Sequence, residues 1–347
     1  MAFDPNAAAL EDSGVFGLPF DEASARVVLV PVPFDATTSY RKGAAKGPAA
    51  ILDASRQVDL FDLDLGRIYE PGIFLRAPRE EVLAWNAAAT AWAEPVIAAG
   101  GVVEGDEALT HALAEANALS AKLDEIVHAD VSTLLAAGKI VGLVGGDHAT
   151  PFGAIRAHAE RFPGLGVLHV DAHADLRPAY EGFTRSHASI MRNVLDEVPG
   201  VARLVQVGIR DFSEEEHETI TGSQGRVVTF FDADLRRAIL GGSSWVAEVH
   251  QVVSALPKQV YVSFDIDGLD PALCPNTGTP VPGGLSFHEA TWLFEAIVRS
   301  GRTIVGFDLN EVAPGEDDEW DANVGARLLY RLIGWTLSSQ GLLPPRR

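Results

Sequence analysis

The chain has 347 residues, of which 47% are hydrophobic, and a formal net charge of −21. This length fits one large α/β domain or two ordinary ones, and the acidic balance argues against nucleic acid and anionic membranes as partners. The single cysteine, Cys274, excludes an internal disulfide and a thiolate metal cluster, and it favours the cytoplasm. The first residues lack the apolar core of a signal peptide, and no apolar run approaches the ~20 residues that span a bilayer.

Short apolar runs recur along the chain. They are rich in valine and isoleucine, continuous rather than alternating, and bounded by glycine, proline or charge. This pattern is typical of parallel strands that are covered on both faces. The predicted strands span residues 26–32, 139–145, 166–172, 203–209, 226–231, 259–265 and 302–308.

Segments with helical spacing lie between these strands. The predicted helices span residues 79–98, 107–137, 151–161, 187–197, 244–256, 286–299 and 323–338. Ser286 followed by Glu289 predicts a capping box. The alternation of strands and helices predicts a doubly wound α/β sheet. Without a linker or a repeat, we predict one domain over 1–347, with an N-terminal extension at 1–25 and a helical excursion at 61–138.

Four polar motifs fall at or just after the ends of predicted strands. Open α/β sheets place their ligands at the carboxyl ends of parallel strands, so we expect these motifs to converge. Each motif alone has an ordinary explanation, such as a turn or a helix cap, but core packing does not produce four of them at one edge. The motifs are Gly145-Gly146-Asp147-His148, Asp171-Ala172-His173-Ala174-Asp175, Asp265-Ile266-Asp267 and Asn310-Glu311.

The residue types in these motifs indicate a metal site. Imidazole and carboxylate ligands without thiolate suit Mn²⁺, Mg²⁺, Zn²⁺ or Ni²⁺. Clustered carboxylates raise one another's pKa values, and divalent cations would neutralise their charge. Six side chains are too many for one ion that keeps a position open, so we predict two divalent ions that activate a shared water. The candidate ligands are His148, Asp171, His173, Asp175, Asp265 and Asp267.

The spacing of these ligands fits an extended chain. Alternate residues of a strand point to one side, so Asp171, His173 and Asp175 can converge, and so can Asp265 and Asp267. In a helix, residues two apart diverge by about 200° and could not share an ion.

The motifs GGDHA, DAHAD, SFDID and NEVAPG, in this order, closely resemble the signature blocks of the ureohydrolase family, which includes arginases and agmatinases. The resemblance extends from about residue 31 to about residue 335. It implies a three-layer α/β/α fold around a mainly parallel sheet and homo-oligomers, either trimers or hexamers. It also implies two divalent ions per chain, Mn²⁺ with Ni²⁺ as the alternative, and hydrolysis of a guanidino group to urea and an amine.

The resemblance assigns roles to individual residues. The six candidate ligands match the family's metal ligands. It implies one ion held by His148 and Asp171, the other held by His173 and Asp267, and both Asp175 and Asp265 shared between the ions.

Three residues acquire catalytic roles in the same way. Asp175 would hold the attacking water and accept its proton. His187 matches an active-site histidine that passes a proton to the leaving amine, a task that suits an ordinary pKa near 6.5. Glu311 matches the acid that binds the guanidinium, a natural bidentate pair.

The loop after DAHAD favours agmatine, cleaved to putrescine and urea. Residues 176–186 are not rich in the Asn, Ser and Thr with which arginases hold an amino acid's carboxylate, and Ser213 stands where arginases carry a second aspartate after Asp211. Arginase is therefore the remote alternative. Arg177 and Arg185 would suit a guanidino acid, as in guanidinobutyrase, guanidinopropionase or formiminoglutamase, or they are solvated loop charges.

Other segments resemble a divergent, agmatinase-like branch, some of whose members hydrolyse free guanidine and favour nickel. These segments span 57–62, 273–284 and 316–330. Trp320 would narrow the pocket, or pack in the core or at a subunit contact. The acidic run 214–218 would attract an ammonium group or form a solvated helix face, and Cys274 is expected to be a packed small side chain.

Two other classes of protein fit the sequence less well than a guanidino hydrolase does. A one-zinc deacetylase on a similar fold would leave His148 and Asp267 without a role. A non-catalytic relative would be expected to have lost ligands, whereas all six are present. We therefore predict a metal-dependent hydrolase acting on the C–N bonds of linear amidines.

Overall fold

A computed structural model of the protein describes residues 3–316 and 318–343, so residues 1, 2, 317 and 344–347 of the predicted 1–347 domain lie outside the described residues. Its centre is an eight-stranded sheet in which every recorded strand pairing is parallel. The strands of this sheet are β1 Val27–Val32, β4 Ile73–Leu75, β5 Ile140–Gly145, β6 Leu165–Val170, β7 Val201–Ile209, β8 Val227–Phe231, β9 Gln259–Asp265 and β10 Thr303–Asn310. A separate antiparallel pair consists of β2 Phe61–Asp62 and β3 Gly66–Arg67.

The seven predicted strands are present, within a few residues of the predicted bounds. Their continuous apolar sequences are explained by burial, since every residue of β1, β5 and β6 is buried. The very short strands β2, β3 and β4 were not predicted, because two or three residues are too few for a recognisable pattern. They all lie in the first part of the predicted helical excursion.

Ten α-helices surround the sheet in the described part of the chain. They are α1 Gly47–Ser55, α2 Glu80–Ala98, α3 Glu107–Ala136, α4 Phe152–Arg161, α5 Ile190–Glu197, α6 Glu214–Gly222, α7 Asp232–Leu240, α8 Trp245–Ala255, α9 Phe287–Arg299 and α10 Trp320–Ser339. The predicted capping box at the start of α9 is confirmed. Helices α1, α6 and α7 were not among the predicted helices, although the acidic run 214–218 in α6 was considered as a helix face.

The helices form a layer on each face of the sheet. Successive residues of β1 belong to different cores: Val27 and Leu29 pack in the core that contains α9 and α10, whereas Val28 and Val30 pack against residues of α2 and α3. A third core joins α4 and α5 to the face of β6 and β7. The predicted α/β/α architecture is therefore confirmed.

The order of the strands brings the polar motifs together. Along the sheet the order is β4-β1-β5-β10-β9-β6-β7-β8. The last two strands of the chain, β9 and β10, thus fill the space between β5 and β6. The four strands that precede the polar motifs are consecutive neighbours, and because they run parallel, the motifs meet at one edge. None of the helices in the described ranges is both long enough and apolar enough to traverse a bilayer.

Candidate metal centre and active site

The carboxyl ends of the four central strands supply all the predicted ligands. His148 follows β5, and the DAHAD run follows β6. Asp265 ends β9, and Asp267 lies in the short 3₁₀-helix Ile266–Gly268. All of these side chains are buried except that of His173, which is partly exposed. The structure thus brings the six predicted ligands to one place.

The first group of ligands centres on the ring of His148. Its Nδ1 atom lies 2.9 Å from Oδ2 of Asp171. The same nitrogen lies 3.3 Å from Oδ2 of Asp175 and 3.3 Å from Oδ2 of Asp265. Three carboxylates that face one ring nitrogen make a compact set of donors for a cation.

The second group centres on His173. Its Nδ1 atom lies 3.1 Å from Oδ2 of Asp267 and 3.4 Å from Oδ1 of Asp171. Asp171 therefore faces His148 with one oxygen and His173 with the other. Asp175 and Asp265 were predicted to be shared between the ions; the residue that faces both histidines in this geometry is Asp171.

The electrostatics of the cluster suit divalent cations. Burial, together with the neighbouring Asp171, raises the pKa of Asp175 to about 8. Burial and the neighbouring Asp267 raise the pKa of Asp265 well above its usual range. Buried carboxyl groups resist ionisation on their own. Bound divalent ions make the ionised form favourable because they neutralise its charge. The oxygen and nitrogen donors, without sulfur, fit the predicted hard or borderline ions.

A buried relay orients the ring of His148. Its Nε2 atom lies 2.9 Å from Oγ of Ser263, and that hydroxyl donates to Oδ1 of Asp308 at 2.9 Å. Because the hydroxyl hydrogen is engaged by Asp308, Ser263 accepts from Nε2–H of His148. The lone pair of His148 is then on Nδ1, the atom that faces the carboxylates, as a metal ligand requires.

Two of the predicted catalytic residues hold strained backbone conformations. Asp175 has a φ of 55° and Glu311 a φ of 61°, the left-handed region that residues other than glycine seldom adopt. Such conformations cost free energy and persist where surrounding structure imposes them, often at functional sites. Both residues directly shape the predicted site.

Glu311 lies against the first group of ligands. Its Oε1 atom accepts a hydrogen bond from the backbone amide of His148 at 2.9 Å. Burial and the nearby Asp147 raise the pKa of Glu311 well above its usual range. A cationic group beside this buried carboxylate would favour its ionised form.

His187 lines a cavity of about 310 Å³ beside the ligands. It lies in the 3₁₀-helix His187–Ser189, and its Nδ1 atom has no hydrogen-bond partner within the described residues. Burial lowers the pKa of His187 to about 4, below the ordinary value near 6.5 on which its predicted role relied. The cavity is lined by Ser39, Tyr40, His173, Asp175, Arg177, Tyr180, His187, Ala188, Asp211, Phe212, Glu216 and Thr279.

The two loop arginines have different surroundings. Arg177 lines the cavity, lies over the ring of Tyr180 at 5.2 Å, and approaches Glu216 with Nε at 3.6 Å from Oε2. Arg185 instead pairs with Asp124 and Glu197 at 2.9 and 2.6 Å. Of the two, Arg177 is the one that lines the pocket.

Three further residues considered in the sequence are described by their contacts and burial: Trp320, Cys274 and Glu216. Trp320 begins α10, is 44% exposed, and donates from Nε1 to the carbonyl of Ala272. Cys274 is fully buried, and burial raises the pKa of its thiol, as expected of a packed side chain. Glu216, in the acidic run 214–218, is buried rather than solvated and accepts from the backbone amide of Leu176 at 3.0 Å.

Sequence reasoning missed several buried polar residues around the ligands. These are His169, Gln206, Ser263 and Asp308. His169 could have been found from its position two residues before Asp171, which places both side chains on one face of the strand. Gln206 and Asp308 are polar residues inside predicted buried strands, a pattern that demands a partner.

Comparisons with known proteins show which family the chain resembles. The model of the Arginase family matches residues 25–334. The N(1)-aminopropylagmatine ureohydrolase of Thermus thermophilus is 37% identical over 325 residues, which cover 92% of this chain and 94% of that protein. The agmatinase of Bacillus anthracis is 32% identical over 322 residues, 91% of this chain and 93% of that protein. The agmatine ureohydrolase of Thermoplasma volcanium matches in structure with a TM-score of 0.74 at 25% identity, covering 96% of this chain and 97% of that one.

Proposed function

Because this chain belongs to the arginase family and is therefore a ureohydrolase, we propose that it hydrolyses the guanidino group of agmatine to give urea and putrescine. The observation that carries the proposal is the convergence of six nitrogen and oxygen ligands, Glu311 and His187 at one edge of the sheet. We propose two divalent ions per chain, Mn²⁺ with Ni²⁺ as the alternative, held by the ligand set His148, Asp171, His173, Asp175, Asp265 and Asp267.

The chain's own residues divide the work of catalysis. When bound, the ions would supply Lewis acidity that makes an attacking water more acidic. Asp175 holds that water through its carboxylate and accepts its proton. Glu311 pairs with the guanidinium, which fixes the guanidino carbon above the water and stabilises positive charge. His187, neutral and with Nδ1 open, would accept the proton taken up by Asp175 and pass one to the leaving nitrogen, so that the C–N bond breaks with the amine as leaving group.

The pocket favours a substrate with a cationic tail. Arg177 is already close to Glu216, and Arg185 is engaged by Asp124 and Glu197, so neither guanidinium is held ready for a substrate carboxylate. Aromatic rings of Tyr180 and Phe212 line the same cavity, and such rings attract ammonium groups. These contacts support agmatine over guanidino acids and arginine.

A second candidate is N(1)-aminopropylagmatine, an agmatine with a longer cationic tail. Two of the relatives at 37% identity carry this activity in their names. The cavity of about 310 Å³ exceeds what free guanidine needs, so an extended substrate fits better than the smallest one. The reaction would be the same, with the amine product longer.

We also propose that the chain acts as one ureohydrolase domain in the cytoplasm, as a homotrimer or homohexamer. Sedimentation velocity of the purified protein measures the assembly directly. A monomer at micromolar concentration would contradict this part of the proposal.

A substrate panel tests the function. Urea release would be measured with agmatine, N(1)-aminopropylagmatine, guanidinobutyrate, guanidinopropionate, arginine and free guanidine, each with Mn²⁺ or Ni²⁺. We expect the highest kcat/KM for agmatine or its aminopropyl derivative with Mn²⁺. A preference for arginine or a guanidino acid would overturn the substrate assignment.

Metal analysis tests the site separately. Protein dialysed after saturation with Mn²⁺ is expected to retain about two ions per chain, as the ligand count requires. An Asp267→Asn variant should lose binding at the group that contains His173 more than at the other group. Less than one ion per chain in the unmodified protein would contradict the two-ion site.

A further inference from the structure

A third histidine lies at the metal site and has no predicted role. His169, in β6, is fully buried, and its Nε2 atom lies 2.8 Å from Oδ2 of Asp171. The same nitrogen lies 3.9 Å from Oδ2 of Asp175. By distance alone, His169 could be a seventh ligand or a hydrogen-bond donor to a ligand, and the difference depends on which ring nitrogen carries the proton.

The contacts of Gln206, on the neighbouring strand β7, show which ring nitrogen of His169 carries the proton. Its Nε2 atom lies 2.7 Å from the carbonyl oxygen of Ala174 and 3.0 Å from Nδ1 of His169. A carbonyl oxygen can only accept, so the amide nitrogen of Gln206 must face Ala174. The oxygen of the same amide fits this orientation, because the hydroxyl of Thr229 donates to Oε1 of Gln206 at 2.8 Å.

The orientation of Gln206 fixes the proton of His169. The amide nitrogen donates to Nδ1, so Nδ1 is an acceptor and the ring proton is on Nε2. Nε2–H then donates to Oδ2 of Asp171. The in-plane lone pair of the ring, on Nδ1, is occupied by Gln206 and Nε2 carries hydrogen, so His169 has no lone pair free for an ion. His148 is the opposite case, since its free lone pair faces the carboxylates.

We propose that His169 is a positioning residue, whose Nε2–H orients Asp171, the carboxylate common to both ligand groups, while Gln206 sets the required tautomer. This inference rests on the proposed two-ion site. Gln206 also holds the carbonyl of Ala174, between the ligands His173 and Asp175, so one side chain steadies both the common carboxylate and the DAHAD turn. Strand β7 thereby supports the site without supplying a ligand.

Metal binding in two variants of His169 tests the proposal. His169→Leu removes the donor, and His169→Gln places an amide N–H near the position of the ring Nε2–H. We expect His169→Leu to weaken Mn²⁺ affinity by about 10- to 100-fold, as loss of a ligand's supporting hydrogen bond does, while two ions still bind at saturation. His169→Gln should recover most of the affinity. Calorimetric titration of metal-free protein measures both quantities without any assay of turnover.

Pulsed electron paramagnetic resonance of the Mn²⁺ protein, with ¹⁵N-labelled histidine, distinguishes positioning from ligation. We expect signals from the imidazoles of His148 and His173 alone, unchanged in His169→Leu. A third directly bound imidazole that disappears in His169→Leu, or the loss of one ion per chain, would overturn the proposal. Unchanged affinity in His169→Leu would overturn it as well.

A matched control separates positioning from general damage to the core. His158, in α4, is another buried histidine, and it bonds to the carbonyl of Ala154 away from the ligands. His158→Leu should keep the metal affinity of the unmodified protein, and an equal loss in both leucine variants would overturn a specific role for His169. If the unmodified protein itself binds less than one ion, the two-ion site fails rather than this inference.

Discussion

The carboxylate of Glu311 accepts a hydrogen bond from the backbone amide of His148, with 2.9 Å between the two atoms. In return, the backbone amide of Glu311 donates to the carbonyl of Gly146 at 2.8 Å. These contacts join the loops that follow β5 and β10, which are paired neighbours in the sheet. These contacts therefore fix the position of Glu311, which we propose to bind the guanidinium, relative to His148, the first candidate metal ligand.

Replacing Glu311 with glutamine separates its charge from its structural contact. The amide oxygen of Glu311→Gln can still accept from His148, but the negative charge that pairs with the guanidinium is lost. We expect kcat/KM for agmatine to fall by about 10²- to 10³-fold, with little change in melting temperature. Steady-state urea release and thermal unfolding measure the two effects.

A remote glutamate provides the control for this variant. Glu289 completes the capping box of α9 and pairs with Arg236. Glu289→Gln should lower the melting temperature and leave kcat/KM unchanged, the reverse of the pattern for Glu311→Gln. Full activity in Glu311→Gln would show that the guanidinium is bound elsewhere.

Asp175→Asn tests the proposed base without disturbing its backbone. Asparagine tolerates the left-handed conformation that Asp175 holds at a φ of 55°. We expect a folded protein whose turnover is reduced by about 10²-fold or more, the usual effect of losing a general base. Asp175→Ala should lose about 1 kcal/mol more stability than Asp175→Asn, because alanine pays the left-handed strain. Near-normal turnover of Asp175→Asn would refute the assignment.

Arg185 is expected to stabilise the fold rather than bind substrate. Its Nε atom lies 2.9 Å from Oδ2 of the buried Asp124, and its Nη1 lies 2.6 Å from Glu197. Burial raises the pKa of Asp124 to about 7 even with Arg185 beside it. Arg185→Met should therefore cost about 2 kcal/mol of unfolding free energy at pH 8, because a buried carboxylate loses its cation.

Two further variants check this interpretation of Arg185. Asp124→Asn in the Arg185→Met background should recover part of the lost stability in urea denaturation, since the uncompensated carboxylate is removed. The KM for agmatine should be the same in Arg185→Met as in the unmodified protein. Arg177→Met is the comparison, because Arg177 lines the pocket and its removal should alter KM. If KM changed only in Arg185→Met, then Arg185 rather than Arg177 would contact the substrate, and this interpretation would be wrong.

The strands and the clustering of the candidate ligands were predictable for the same physical reason. A buried parallel strand needs a continuous apolar run, and a ligand cluster needs ionisable residues at the ends of such runs, so both leave a local pattern in the sequence. The helices α1, α6 and α7 were missed because their apolar residues follow the helical period less clearly than those of α5, which is as short but was predicted. Which carboxylate faces both histidines was not predictable, because it depends on how the chain turns after β6.

The supporting residues were missed for a different reason. His169 and Gln206 contact each other across two paired strands, His169 lying opposite Gln206 in the register of β6 and β7. That register is a long-range property, and a single sequence gives no direct measure of it. Four polar residues inside apolar runs were nevertheless visible, and each of these bonds with another polar group around the site: His169, Gln206, Ser263 and Asp308.

His158, a buried histidine outside the active site, should make the stability of the protein depend on pH. It is buried, its Nδ1–H donates to the carbonyl of Ala154 at 2.8 Å, and burial lowers its pKa to about 4, from an ordinary value near 6.5. Between these two pH values the unfolded chain binds a proton that the folded protein excludes. The stability from this group is therefore complete above about pH 6.5 and is lost as the pH falls to 4, by about 3 kcal/mol in total. His158→Leu removes this loss. In urea denaturation of metal-free protein, the difference in unfolding free energy between the variant and the unmodified protein should therefore change by that amount from pH 7 to pH 4. Parallel pH curves of the two proteins would contradict the prediction.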